Sequence, residues 1–183
     1  NTAQLTGATE IRTAAGNIGL AAVNGNGNSI TLNTTGTTTV AGNVTTAGGA
    51  LLVTGGTATF SNVATGAASQ TYNSTTTTLN GTYSTIGKVI DFNGGVVLLA
   101  GNTTLDVTAG SNANITLNGT VDGPYALTTV GPLQALGVIG GQTKLLSLNA
   151  TMGSVLGRLI GTNGVQTVGD QNYNASGSSS STA

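Results

Sequence analysis

Short runs of Thr, Val, Ile and Leu alternate with Gly and Asn from one end of the chain to the other. Such runs read as strands, because β-branched and aliphatic side chains suit a pleated surface, while Gly and Asn suit the turns between. The clearest lie at residues 29–32, 37–40, 57–60, 88–92, 104–107 and 114–117. Gly, Thr, Asn and Val are poor helix formers. Only residues 133–139 and 152–160 leave room for a short helical turn.

One unit recurs: apolar, any residue, apolar, Asn. It stands at Ile30-Thr31-Leu32-Asn33, Ile90-Asp91-Phe92-Asn93, Ile115-Thr116-Leu117-Asn118 and Leu146-Ser147-Leu148-Asn149, with a weaker copy at Thr77-Thr78-Leu79-Asn80. Strand side chains alternate between faces, so both apolar residues are expected inward and the middle one outward. The Asn is then expected at the turn, where its amide caps the backbone. Gly follows it at Gly81, Gly94 and Gly119, which suits left-handed backbone. The four clear copies are unevenly spaced, as in a β-helix with loops of varied length. A longer echo pairs Gln70-Thr71-Tyr72-Asn73 with Gln171-Asn172-Tyr173-Asn174, which predicts about one super-repeat of a longer array.

Taken together, the pattern predicts an all-β fold, a right-handed parallel β-helix (a β-solenoid) over residues 1–175, followed by a Ser-rich tail or linker at 176–183. A β-sandwich fibre subunit is the alternative. Aromatics at 3% favour the solenoid, whose core stacks small and medium side chains rung upon rung.

Composition narrows the function. The 183 residues hold 4 Lys+Arg, 5 Asp+Glu and no His, Cys or Trp, with a formal net charge of -1. A nucleic-acid surface needs a dense field of Lys and Arg, so none is expected. No apolar run reaches the ~18–20 residues of a transmembrane helix; the longest, Val96-Val97-Leu98-Leu99-Ala100, has strand length. Thr, Asn, Ser and Gly supply the polar surface, a composition expected of an extracellular or cell-surface protein.

Without His or Cys, a Ser/His or Cys/His nucleophile is excluded, and a zinc site has only carboxylates to draw on. A carboxylate pair can hydrolyse a glycoside. Asp91 and Asp106, each between apolar neighbours, are the best candidates for such a pair. The plainer reading is two solvated carboxylates on a polar face, and no aromatic sugar platform, third acid or basic partner accompanies them. Asp122, in Val121-Asp122-Gly123-Pro124, reads as a turn residue, as does Asp170. No calcium nonapeptide repeat is present, and the stretch Asn24-Gly25-Asn26-Gly27-Asn28 reads as a loop between rungs, not a phosphate loop. Thr-rich runs at 37–39, 57/59 and 75–78 resemble the hydroxyl ladders by which some β-solenoids bind ice. Their uneven spacing speaks against a regular array. Asn-x-Ser/Thr sequons stand at Asn33, Asn43, Asn73, Asn80, Asn102, Asn114, Asn118 and Asn149. No catalytic, cofactor-binding or metal-binding residue is assigned, no cofactor is expected, and the chain is expected to be a non-enzyme.

The stretches Gln70-Thr71-Tyr72-Asn73, Ile115-Thr116-Leu117-Asn118-Gly119-Thr120-Val121-Asp122-Gly123 and Tyr125-Ala126-Leu127-Thr128 resemble repeats of filamentous-haemagglutinin-like proteins, giant bacterial exoproteins and autotransporter-type adhesins. The resemblance is best over residues 63–174 and compositional over 1–62. It implies a right-handed parallel β-helix, export, and a role in adhesion, aggregation, biofilm or extracellular fibre formation. It implies as partners copies of the chain, neighbouring repeats, or host or matrix glycans and proteins, and it implies no catalytic residues. Residues 131–158, with Pro132 and a Leu/Gly-rich run, depart from the pattern, so regular stacking is not expected there. The alternative is a self-assembling subunit of an extracellular filament or sheath joined by β-strand pairing.

Overall fold

The computed structural model of the chain describes residues 1–108, 113–151 and 164–174. These residues form a parallel β-solenoid of about eight turns, with no helix among them. Seventeen strands, from Thr2–Gln4 to Gln171–Asn174, join one sheet. Every strand pairing among the described residues is parallel. The antiparallel β-sandwich is therefore set aside.

Each turn presents three faces. On face one, Thr9, Ile30, Leu51, Gln70, Ile90, Ile115 and Leu133 stand in register. On face two the inward column runs Ile18, Thr38, Ala58, Thr77, Val97, Val121, Ile139 and Val165. On face three it runs Ala3, Val23, Val44, Val63, Tyr83, Leu105, Thr129, Ala150 and Tyr173. Alternate residues turn inward, and successive rungs lie ~4.8 Å apart, so each column is a continuous stack. One rung cannot bury its apolar face alone; the stack above and below completes the core.

Three copies of the recurring unit, at Ile30, Ile90 and Ile115, occupy one inward column on face one. The uneven spacing between the first two hides two further rungs, at Leu51 and Gln70. Turns therefore recur at about 20 residues. The fourth copy departs from the expectation. Leu148 is buried on face three, but Leu146 is 50% exposed, because the strand Ser147–Thr151 begins after it and Leu145 takes the interior place. The weaker copy sits on face two, where Leu79 is buried.

Residues 133–139 form no helical turn. Leu133–Ala135 is a strand stacked on Ile115–Leu117, and Ile139 bridges Val121. Stacking thus continues past Pro132, whose carbonyl accepts from Ile115 N at 2.8 Å. The expectation for residues 152–160 and the tail at 176–183 lie outside the described residues. The stretch read as a loop between rungs begins on the last residue of the strand Ala22–Asn24 and turns after it: Asn28 N donates to Gly25 O at 2.8 Å.

The glycines after Asn serve two purposes rather than one. Gly81 has φ +92, in the left-handed region. Gly94 and Gly119 answer instead to close approach, since a Cβ there would lie 1.6 Å from Ser74 O and 2.1 Å from Gly95 O.

The core is less thin than the composition implies. Phe60, Tyr72, Tyr83 and Phe92 are all fully buried and cluster in consecutive rungs. Tyr72 stacks on Phe92 with ring centroids 4.6 Å apart and meets Phe60 edge-on at 5.6 Å. Tyr83 donates to Phe60 O at 2.7 Å. Burial raises the Tyr72 hydroxyl well above the ordinary 10.0, with a further push from Tyr83, and burial raises Tyr83 as well. Both are neutral in the fold, while the unfolded chain ionises near pH 10. Stability is therefore full below that pH and falls as pH rises through it. An alkaline titration is expected to show tyrosinate absorbance from Tyr72 and Tyr83 appearing together with loss of β circular dichroism, not before it.

Thr129 is the exception in the face-three column. It lies between Leu105 and Ala150, and its Oγ1 is buried without a hydrogen-bond partner among the described residues. Thr129→Val keeps the shape and removes the orphaned hydroxyl. It is expected to raise stability by about 1 kcal/mol, read as a higher urea midpoint.

Candidate functional site

The two candidate acids do not converge. Asp91 lies on face one, between Thr71 and Thr116 in the stack. Asp106 lies on face three, between Ser84 and Val130. Its Oδ1 accepts from the N–H of Thr108 at 2.9 Å and from the Thr108 hydroxyl. Two carboxylates on different faces of a solid stack cannot flank one glycosidic bond.

Asp122 does more than sit at a turn. It is 3% exposed, and its Oδ1 accepts from Gln142 N at 2.8 Å and Thr143 N at 3.0 Å. The carboxylate thus fastens the corner of the following rung. Asp170 keeps its place at a turn, just before the strand Gln171–Asn174, and its carbonyl accepts from Leu148 N.

Asparagines at the corners form amide ladders, which gives the frequent sequon asparagines a structural use. Asn93 Nδ2 donates to Asn73 Oδ1 at 3.1 Å, and Asn118 Nδ2 donates to Asn93 Oδ1 at 2.8 Å. Asn62 Nδ2 reaches Asn43 Oδ1 at 3.1 Å. Asn102 Oδ1 accepts from Ala126 N, and Asn114 Nδ2 donates to Thr116 Oγ1. Asn93, in the middle of its ladder, both donates and accepts, and Asn62 does the same by also accepting from Thr82 N at 2.8 Å. Another corner uses threonine: Thr65 and Thr85 donate to the carbonyls of Ala68 and Lys88 at 2.6 and 2.7 Å, and Thr46 donates to that of Gly49.

The Gln-x-Tyr echo is a corner cassette. Tyr72 Oη donates to Gln70 Oε1 at 3.0 Å, and Gln70 Nε2 donates to Val63 O at 3.2 Å and Ser84 O at 2.8 Å. The second copy repeats the geometry: Tyr173 Oη donates to Gln171 Oε1 at 2.9 Å, and Gln171 Nε2 donates to Val165 O at 3.3 Å. The first cassette opens on face one and the second on face three. The echo is therefore a portable hydrogen-bonding unit, not a super-repeat in register.

The most regular surface lies on face two. Thr37, Thr57 and Thr76 stand in register in one outward file, and Thr39, Thr59 and Thr78 in the next. No register shift interrupts this face from Ile18–Leu20 to Thr120–Asp122. The uneven sequence spacing of the Thr runs is absorbed at the corners, so the array excluded by that spacing is present in the fold. Val96 and Leu98 extend the two files on the next rung.

No protein-family model, curated protein or solved structure matches this chain.

Proposed function

We propose that this chain is a non-catalytic structural and adhesive segment of a large, secreted bacterial surface protein of the filamentous-haemagglutinin-like kind. The observation that carries the reading is the stack itself: side-chain columns continuing from Ala3 to Tyr173 make a rod section. Hydroxyl and amide files dress its outside, and the candidate acids lie apart. Such a section acts as a stiff spacer. Its contacts spread along ladders and corners instead of gathering in a pocket, which suits neighbouring repeats, further copies, or matrix glycans and proteins as partners.

The test has two parts. Antibody against the chain should label intact cells, and the intact polypeptide carrying it should be many times the 17.7 kDa of this chain. Label found only after lysis would sink the surface assignment. A surface-labelled polypeptide near 17.7 kDa that forms fibres in electron micrographs would replace the rod segment with the self-assembling filament subunit.

A further inference from the structure

We infer that face two is an ice-binding surface, with the hydroxyls of Thr37, Thr39, Thr57, Thr59, Thr76 and Thr78 docking on a plane of lattice water. The six form a two-by-three grid on three consecutive rungs. Its repeats are fixed by the backbone, ~4.8 Å between rungs and about 6.6 Å between alternate residues of one strand. The rung spacing lies close to the shorter oxygen repeat of ice, and the second spacing falls somewhat short of the longer one, so the match is set along the stack.

Four features single out this face. The sheet beneath the grid is free of register shifts, so the grid is regular. Threonine is β-branched and stiff at χ1, so its methyl and hydroxyl are held in fixed directions before any ligand arrives. All six side chains are at least partly exposed. None of their hydroxyls makes a hydrogen bond within the described residues, in contrast to the corner threonines Thr46, Thr65 and Thr85.

β propensity alone does not explain the grid, because it acts equally on all three faces. Face one carries Thr31, Leu52, Thr71 and Asp91 in one outward file; face three carries a single threonine file, Thr82, Thr104 and Thr128, but the file beside it reads Ser84, Asp106 and Val130, so no two-wide threonine grid forms there. On face two the outward pair is Thr and Thr three times over, while the inward residue between them changes from Thr38 to Ala58 to Thr77. Packing constrains the inward position most strongly, yet here the outward identities are the ones that repeat.

The chemistry of the grid fits frozen water better than a charged partner. No charged residue stands among the six, and the nearest acid in these files, Asp122, spends its carboxylate on Gln142 and Thr143. An uncharged hydroxyl is cheaper to strip of liquid water than an ion. Each hydroxyl bond to the lattice is weak. Six of them presented in fixed geometry act together, because the first contact brings the rest to their places. Val96 and Leu98 on the next rung add flat apolar surface beside the threonine methyls.

The test is ice growth in a frozen solution of the full chain, with thermal hysteresis as the second reading. Wild type should slow crystal coarsening and open a gap between melting and freezing points. Thr57→Lys places a long cation on the middle rung of the grid and should return both readings to the buffer baseline. Thr71→Lys, outward on face one, makes the same chemical change away from the grid and should keep them. Matching circular dichroism would establish that both variants fold, and Thr39→Lys serves if Thr57→Lys does not. Wild type indistinguishable from buffer would overturn the proposal. So would equal loss, or equal retention, in the face-two and face-one variants.

Discussion

Gly55→Ala is expected to cost about 3 kcal/mol or more, which for a chain of this size lowers the melting temperature by roughly 6–12 °C. Two effects combine at this corner between faces one and two. Gly55 has φ +130, a backbone region that residues with a side chain rarely enter. A Cβ added there would lie 1.5 Å from the carbonyl oxygen of Thr34 and 2.5 Å from its carbonyl carbon, in the rung below. Backbone cannot swing aside as a flexible side chain would, so the rungs must part or the register must slip. Gly27→Ala is the matched control. Gly27 has φ +84 and nothing within 4 Å of the added atom, so only backbone strain remains, at about 1 kcal/mol. Urea midpoints of the two variants separate the steric contribution from the conformational one. Equal midpoints would mean that the rungs can spread at Gly55, against the close stacking described.

The fold was largely legible because strand alternation and glycine punctuation are local properties. Ile30, Ile90 and Ile115 announced one inward column from sequence alone. Leu51 and Gln70 were hidden in that column because neither opens an apolar-x-apolar-Asn unit: Leu51 leads to Val53 and Thr54, and Gln70 is polar. Gln70 is tolerated inside only because its amide spans the corner to the carbonyls of Val63 and Ser84, and sequence spacing does not reveal such a contact. Leu146 misled because its apolar-x-apolar parity is one residue out of phase with the strand that follows, and a shift of one residue reverses every side chain.

Parity also concealed the threonine grid. In the run Thr75-Thr76-Thr77-Thr78 nothing local says which two join the outward files of face two; the stack chooses Thr76 and Thr78 by pairing them with Thr57 and Thr59. Asp91 and Asp106 show the converse. The sequence places both between apolar neighbours, but the face each occupies depends on how many corners separate them, which is a property of the whole turn.

Tyr72→Ala is expected to be the most damaging single side-chain truncation, at about 3–5 kcal/mol. Tyr72 meets three aromatic rings, Phe60 and Tyr83 edge-on and Phe92 face to face, so its loss opens a cavity among large rings. It also deprives Gln70 Oε1 of its donor inside the core. Tyr72→Phe divides the two contributions. The ring stays, the hydroxyl goes, and the buried amide oxygen is left unpaired, for an expected loss of about 1–3 kcal/mol. The same change in the second cassette, Tyr173→Phe, should be close to neutral. Tyr173 is 39% exposed, so water replaces the lost donor to Gln171. One hydrogen bond of the same partners and nearly the same length, 3.0 and 2.9 Å, is thus expected to matter in one copy and not in the other. The difference is burial: the rung above Tyr72 keeps water from the amide. Equal losses at the two sites would show that the bond itself, and not its enclosure, carries the stability. No loss at either would show that the aromatic stack holds these rungs without the cassette.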